Sequence, residues 1–104
     1  MAQDHGNLNT NEKPHHLYEI RDSVDDDEFK YGISHDPIGA DGLSKRIRVQ
    51  VNFLNTGVDW RRFFARILLL DILGRRAAKR IETEHITKYK EENGRRPRGG
   101  NKED

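Results

Sequence analysis

The stretch RIETEHITKY, residues 80–89, holds two glutamates that a helix cannot turn the same way. At about 100° per residue, with Ile81 at zero, Ala77, Ala78, His85, Ile86 and Tyr89 fall on an arc from roughly −40° to +140°. Glu84 falls just outside that arc, whereas Glu82 falls inside it, at about 100°. A carboxylate rarely gives up its water without a partner, because desolvation costs several kcal/mol. Either Glu82 pairs with a buried arginine such as Arg66, or it serves a site that uses its charge. His35 could carry a proton, whereas Tyr18 by itself reads as a core tyrosine with its hydroxyl at the rim, and Arg46 and Arg48 read as solvated or salt-bridged helix arginines. Ser34 reads as a strand-end hydroxyl, since no base-and-orienter set accompanies it.

Such groups need elements to position them. LYEI (17–20) and FKYGIS (29–34) alternate in polarity and are rich in aromatic and β-branched residues, so they predict an antiparallel hairpin across RDSVDDDE. Alternation puts residues 30, 32 and 34 on one face and Phe29, Tyr31 and Ile33 on the other. DPIGADG (36–42) is turn chemistry throughout. Leu43, Ile47, Val51 and Leu54 then recur with helical spacing, so SKRIRVQVNFLN predicts an amphipathic helix ended by the TG after Asn55. Around ARILLLDIL (65–73), Trp60, Phe64, Ile67 and Leu68 also fit a helical period, but the run is short, dense in Ile and Leu and followed by Gly74, which favours a strand buried on both faces over a helix. Residues 75–92 form a second helix stopped by Asn93-Gly94, and RRPRGGNKED is an irregular basic segment. The expected fold class is α/β in the α+β sense: a small three-stranded, mainly antiparallel sheet with flanking helices, in the order β-β-α-β-α.

Composition bounds the rest. A chain of 104 residues supports one small domain. Mean hydropathy of −1.01 with 36% charged residues is polar enough that part of the chain should lack a core. Residues 1–15 read as a disordered leader or linker, 16–101 as the domain and 102–104 as a tail. His5, His15 and His16 fall in or beside the leader, where metal binding would be incidental. There is no cysteine, so neither disulfides nor thiolate zinc contribute. No apolar run is long enough for a membrane span, and no membrane association is expected. Residues 1–42 carry ten acidic and three basic residues, and residues 43–104 carry sixteen basic and eight acidic ones. This division suits either a polyanion-binding surface beside an acidic masking segment, or ordinary solvation of helix faces.

LYEI, then KYGIS, then a basic helix, then a helix with one inward glutamate, then a late asparagine: in this order the chain resembles the GIY-YIG (URI) nuclease superfamily. Within it the chain looks most like the C-terminal toxin domains of bacterial polymorphic toxins. The likeness covers about residues 16–101. Tyr18 takes the place of the first motif tyrosine, with His16 where glycine is usual, and Gly32 and Ser34 match the second motif. Lys30, rather than Tyr31, stands where the second tyrosine is expected. Arg46 in KRI matches the helix arginine, with Arg48 as the fallback, Glu82 the metal-binding glutamate and Asn101 in RGGNK the late asparagine.

The resemblance implies a metal-dependent nuclease acting on phosphodiesters, DNA before RNA, as a toxic effector in interbacterial competition. An RNase on the same fold and an inactive nucleic-acid or partner-binding module are the alternatives. Glu82 would hold Mg²⁺ or Mn²⁺, Arg46 would clamp phosphate, and Tyr18 would be the general base. Lys30, Tyr31 and His35 complete the catalytic candidates. Lys45, Arg48, Arg61, Arg62, Arg95, Arg96, Arg98 and Asn101 are candidates to hold the nucleic acid with little sequence preference. Trp60 would either stack on a base or join the core. A cognate immunity protein and delivery as part of a larger secreted polypeptide, for action in the target-cell cytoplasm, follow from the same resemblance.

Overall fold

The computed structural model describes residues 12–58 and 61–99. Its elements are β1 (Pro14–Asp22), β2 (Asp27–Ser34), α1 (Lys45–Thr56), β3 (Phe63–Leu73) and α2 (Arg75–Asn93), in the expected order. The strands form one antiparallel sheet in the order β2-β1-β3, so β1 is central. Tyr18, Ile20, Ile47 and Phe63 form the core on one face, joined by Val51 and Leu54 of α1. Leu17, Ile33, Ile72 and Ala78 fill the other face beneath α2, continued by Tyr31, Ile86 and Tyr89.

The buried strand is β1 and not β3. Residues 15 to 20 are all buried, whereas β3, an edge strand, exposes Phe64, Leu69, Leu70 and Leu73. A dense Ile/Leu run cannot by itself tell a centre from an edge, because strand order is set by how the hairpin and crossover stack. β1 also begins at Pro14, ahead of the boundary expected after residue 15, with His15 and His16 buried. The hairpin loop tightens to residues 23–26, where Asp26 takes a left-handed φ of 51°. Near its start β2 bulges: Ile20 pairs with Lys30 and Arg21 with Glu28, skipping Phe29. The extra residue breaks strict alternation, and Phe29 stacks against Phe63 with ring centroids 4.8 Å apart, on the Tyr18 face.

The start of α1 is fixed by its neighbours. The Ser44 hydroxyl shares a hydrogen bond with His16 Nε2 at 3.2 Å, and Asp36 accepts from the Arg46 backbone N–H at 3.2 Å. The latter fills one of the donors that a helix N-terminus leaves open. α2 ends at Gly94, whose φ of 72° suits a left-handed cap, with its N–H donated to Lys90. The chain then doubles back on β2. Gly99 N–H donates to the Phe29 carbonyl at 2.6 Å, while Asp27 accepts from Tyr89 and Arg95, each at 2.7 Å.

The strand order makes a direct prediction. Leu17→Ala should cost about 2–5 kcal/mol in urea denaturation, as for a fully enclosed leucine, while Leu73→Ala, at a residue 71% exposed, should cost under about 0.5 kcal/mol. Equal losses would contradict a central β1.

Candidate active site

Tyr18 sits in the central strand directly across from Gly32. A Cβ at Gly32 would stand inside the Tyr18 ring and hydroxyl, so the tyrosine can lie over β2 only because that position has no side chain. The Tyr18 residue is 1% exposed. A buried phenol needs a hydrogen-bond partner, and α1 supplies it: Gln50 Nε2 donates to the Tyr18 oxygen at 2.7 Å. Lys30 Nζ in turn donates to Gln50 Oε1 at 3.1 Å. An ammonium can only donate, so the amide oxygen must face Lys30 and its NH₂ must face Tyr18. Tyr18 therefore accepts, and its own proton points elsewhere.

Charges from both helices reach this chain. Burial raises the Tyr18 pKa above its usual 10.0, the Gln50 hydrogen bond and the Arg46 guanidinium act against that rise, and Glu82 adds to it. Burial lowers the Lys30 pKa, with Arg46 acting the same way and Glu82 opposing. Arg46 and Glu82 thus act on the same two groups from helices on opposite faces of the sheet. Glu82 is 8% exposed, as its helical position requires, with Lys79 Nζ at 3.5 Å. Arg66 is not its partner. That arginine pairs with buried Glu19.

Residues 8–94 match the family model described as URI fold toxin 2. The chain belongs to that family. No curated protein and no solved structure matches it significantly.

In this URI fold toxin domain the other candidates divide by location. Tyr31 faces α2, packing on Ile86 and Tyr89 with His85 at 5.6 Å between ring centroids, and burial raises its pKa. Strand alternation puts it opposite Glu19, on the face away from the Tyr18 ring, so it does not join the Tyr18–Gln50–Lys30 chain. His35 stands edge-on to His15 at 5.4 Å, at a cavity of about 310 Å³ that also takes in His16 and Asp36. His16, in the place of a motif glycine, ties β1 to α1 through Ser44.

Three of the basic candidates are committed to structural pairs. Arg62 grips Asp22 through two nitrogens at 2.8 and 2.6 Å, Arg48 binds Asp41 and the Leu43 carbonyl at 2.9 Å each, and Arg95 holds Asp27. Lys45, Arg46, Arg61, Arg96 and Arg98 are exposed. Asn101, Trp60 and His5 lie outside the described residues. Gln50 is the residue sequence reasoning missed. Its signal was available: it lies one turn after Arg46 and interrupts the apolar stripe of Ile47, Val51 and Leu54 with an amide.

Among the described residues no group of three or more His, Cys, Asp or Glu side chains is placed to hold a metal ion. A lone carboxylate such as Glu82 is a donor that would suit a hard cation keeping most of its shell as water and phosphate, as Mg²⁺ and Mn²⁺ do.

The Gly32 contact is testable without any assay of function. Gly32→Ala should cost about 1–3 kcal/mol by forcing the Tyr18 ring aside. Gly57→Ala, at a φ of −78° with open space around the added carbon, should leave the thermal midpoint unchanged or slightly raised. A neutral Gly32→Ala would mean that Tyr18 does not lie where described.

Proposed function

We propose that this URI fold toxin domain is a GIY-YIG-type, metal-dependent nuclease that cleaves phosphodiester bonds, in DNA before RNA, as the toxic effector of a bacterial competition system. The observation that carries the reading is the buried Tyr18 hydroxyl bonded to Gln50, which Lys30 holds in turn, with the charges of Arg46 and Glu82 acting on Tyr18 from two helices.

Phosphodiester hydrolysis needs a deprotonated water, countercharge on the phosphate and support for the leaving oxygen. Tyr18 is the proton acceptor. Its oxygen already takes a hydrogen bond from Gln50, so the phenolate is supported when the proton leaves. Lys30 holds Gln50 in the orientation that makes this possible. Arg46 is exposed and directs its fork at the phosphate oxygens as charge builds on them. A Mg²⁺ or Mn²⁺ ion held by Glu82 would supply Lewis acidity. Burial on α2 takes water from around the carboxylate and strengthens its field at a cation. Lys45, Arg61, Arg96 and Arg98 offer backbone contacts, and the ion-paired Arg48, Arg62 and Arg95 are removed from that role. Delivery within a larger secreted polypeptide, action in the target-cell cytoplasm and control by an immunity protein belong to the same proposal. No helix among the described residues is long and apolar enough to cross a membrane.

The deciding experiment incubates the protein with plasmid DNA and with total RNA, with Mg²⁺ and with EDTA. DNA loss dependent on Mg²⁺ is the expected result, RNA loss alone would reassign the substrate, and loss of neither would reject the enzyme. Glu82→Ala should lower turnover at least about a hundredfold with an unchanged thermal midpoint; full activity in that variant would remove Glu82 from the site.

A pH series tests the tyrosine. With its pKa raised above 10.0, Tyr18 is protonated at neutral pH, so kcat/KM should climb with pH across the neutral and alkaline range. Gln50→Leu withdraws the donor that favours phenolate, raises the pKa further and should slow the reaction about tenfold at pH 7. A profile flat from pH 7 to 9 would exclude Tyr18 as the base.

A further inference from the structure

The apolar side of α1 that faces the sheet uses Ile47, Val51 and Leu54, yet the same helix exposes Phe53 at 78% and Val49 at 58%. Isolated surface apolar residues are common and need no explanation. The position of Phe53 is what sets it apart. Seven residues after Arg46, it returns to within about 20° of the same direction on the helix, with Gln50 about 40° to the other side. The most exposed aromatic ring of the described residues therefore lies in one stripe with the exposed guanidinium and the amide that holds Tyr18. α1 carries Lys45, Arg46 and Arg48 and no acidic residue.

We infer that Phe53 is a stacking platform for an unpaired nucleobase of a single DNA strand, two helical turns from the phosphate held by Arg46. The inference rests on the nuclease reading and specifies its substrate: single-stranded or locally opened DNA, in preference to an intact duplex. The guanidinium at one end of the stripe and the ring at the other match the alternation of phosphate and base along a strand. Every base offers a π-face, so such a platform adds affinity without sequence preference. A protein partner fits less well. Phe53 and Val49 alone form too small an apolar patch to seat the core of a stable protein interface, which takes about 800 Å² per partner. In a duplex the bases are already stacked on one another and the ring has no face to meet.

The test measures binding of fluorescein-labelled DNA by the intact protein, with a single-stranded oligonucleotide and with a hairpin duplex, in EDTA and in Ca²⁺. Phe53→Ala should weaken single-strand binding about tenfold, leave duplex binding unchanged and keep the thermal midpoint of the parent. Phe53→Trp should restore single-strand binding, whereas Phe53→Leu should not, because leucine is apolar but has no ring. The inference is overturned if the alanine variant binds single strands like the parent, if both probes lose affinity equally, or if leucine rescues as well as tryptophan. A parent protein that binds neither probe in either condition would reject the nuclease reading together with this one; binding indifferent to Phe53 rejects this one alone.

Discussion

Tyr18 lies over a residue with no side chain, and most of the arrangement follows from that vacancy. The ring can settle onto β2 only at Gly32, and once there it is enclosed between the sheet and α1. Enclosure makes its hydroxyl expensive to leave unbonded, so α1 must present a polar group at that height, and Gln50 does so within an otherwise apolar stripe. The amide in turn needs its oxygen satisfied, which Lys30 provides from the strand that made the space. Sheet order, helix register and the identity of three side chains are thereby coupled through one contact.

The division of charge along the chain resolves in a way that neither of its two sequence readings anticipated. Acidic residues of the first half meet basic residues of the second as specific partners: Asp22 with Arg62, Asp27 with Arg95, Glu19 with Arg66 and Asp41 with Arg48. Asp22 and Glu19 are almost wholly enclosed, so these two pairs are more sensitive to losing one member than exposed pairs are. The Arg62 hydrogen bonds hold the Asp22 carboxyl below its usual range. Part of the basic excess is therefore spent inside the fold, and the cations left on the surface are fewer than the sequence suggests.

What could be read in advance was whatever depends on local period. The β1–β2 hairpin, both helices and the inward turn of Glu82 come from spacing, because alternation and the 3.6-residue repeat are properties of the chain itself, whereas β3 also fits a helical period and is read as a strand from its length and Ile/Leu density. Gly94 likewise announced the end of α2. Three things were not local. Which strand is central depends on the stacking of all three, and an Ile/Leu run in β3 looks the same at an edge. The bulge at Phe29 depends on pairing with β1, so simple alternation assigned that ring to the wrong side. The cap on α1 comes from Asp36 and the His16–Ser44 bond, which join segments far apart in sequence. The placement of Tyr31 on the α2 face and of Gln50 beside Tyr18 belongs to the same class, since each is decided by a neighbour and not by its own surroundings in the chain.

The doubling-back of residues 95–99 has a consequence for the order of assembly. The Phe29 carbonyl, in the early hairpin, finds its partner in Gly99, and the Asp27 carboxylate finds its partners in Tyr89 and Arg95, in segments translated some sixty to seventy residues later. At elongation rates of about 5–20 residues per second, the hairpin spends several seconds with that rim open to water. The enclosing of β2 is therefore a late event with a large loop to close. A toxin fold organised in this way keeps that strand edge unfinished until residues 95–99 have been made.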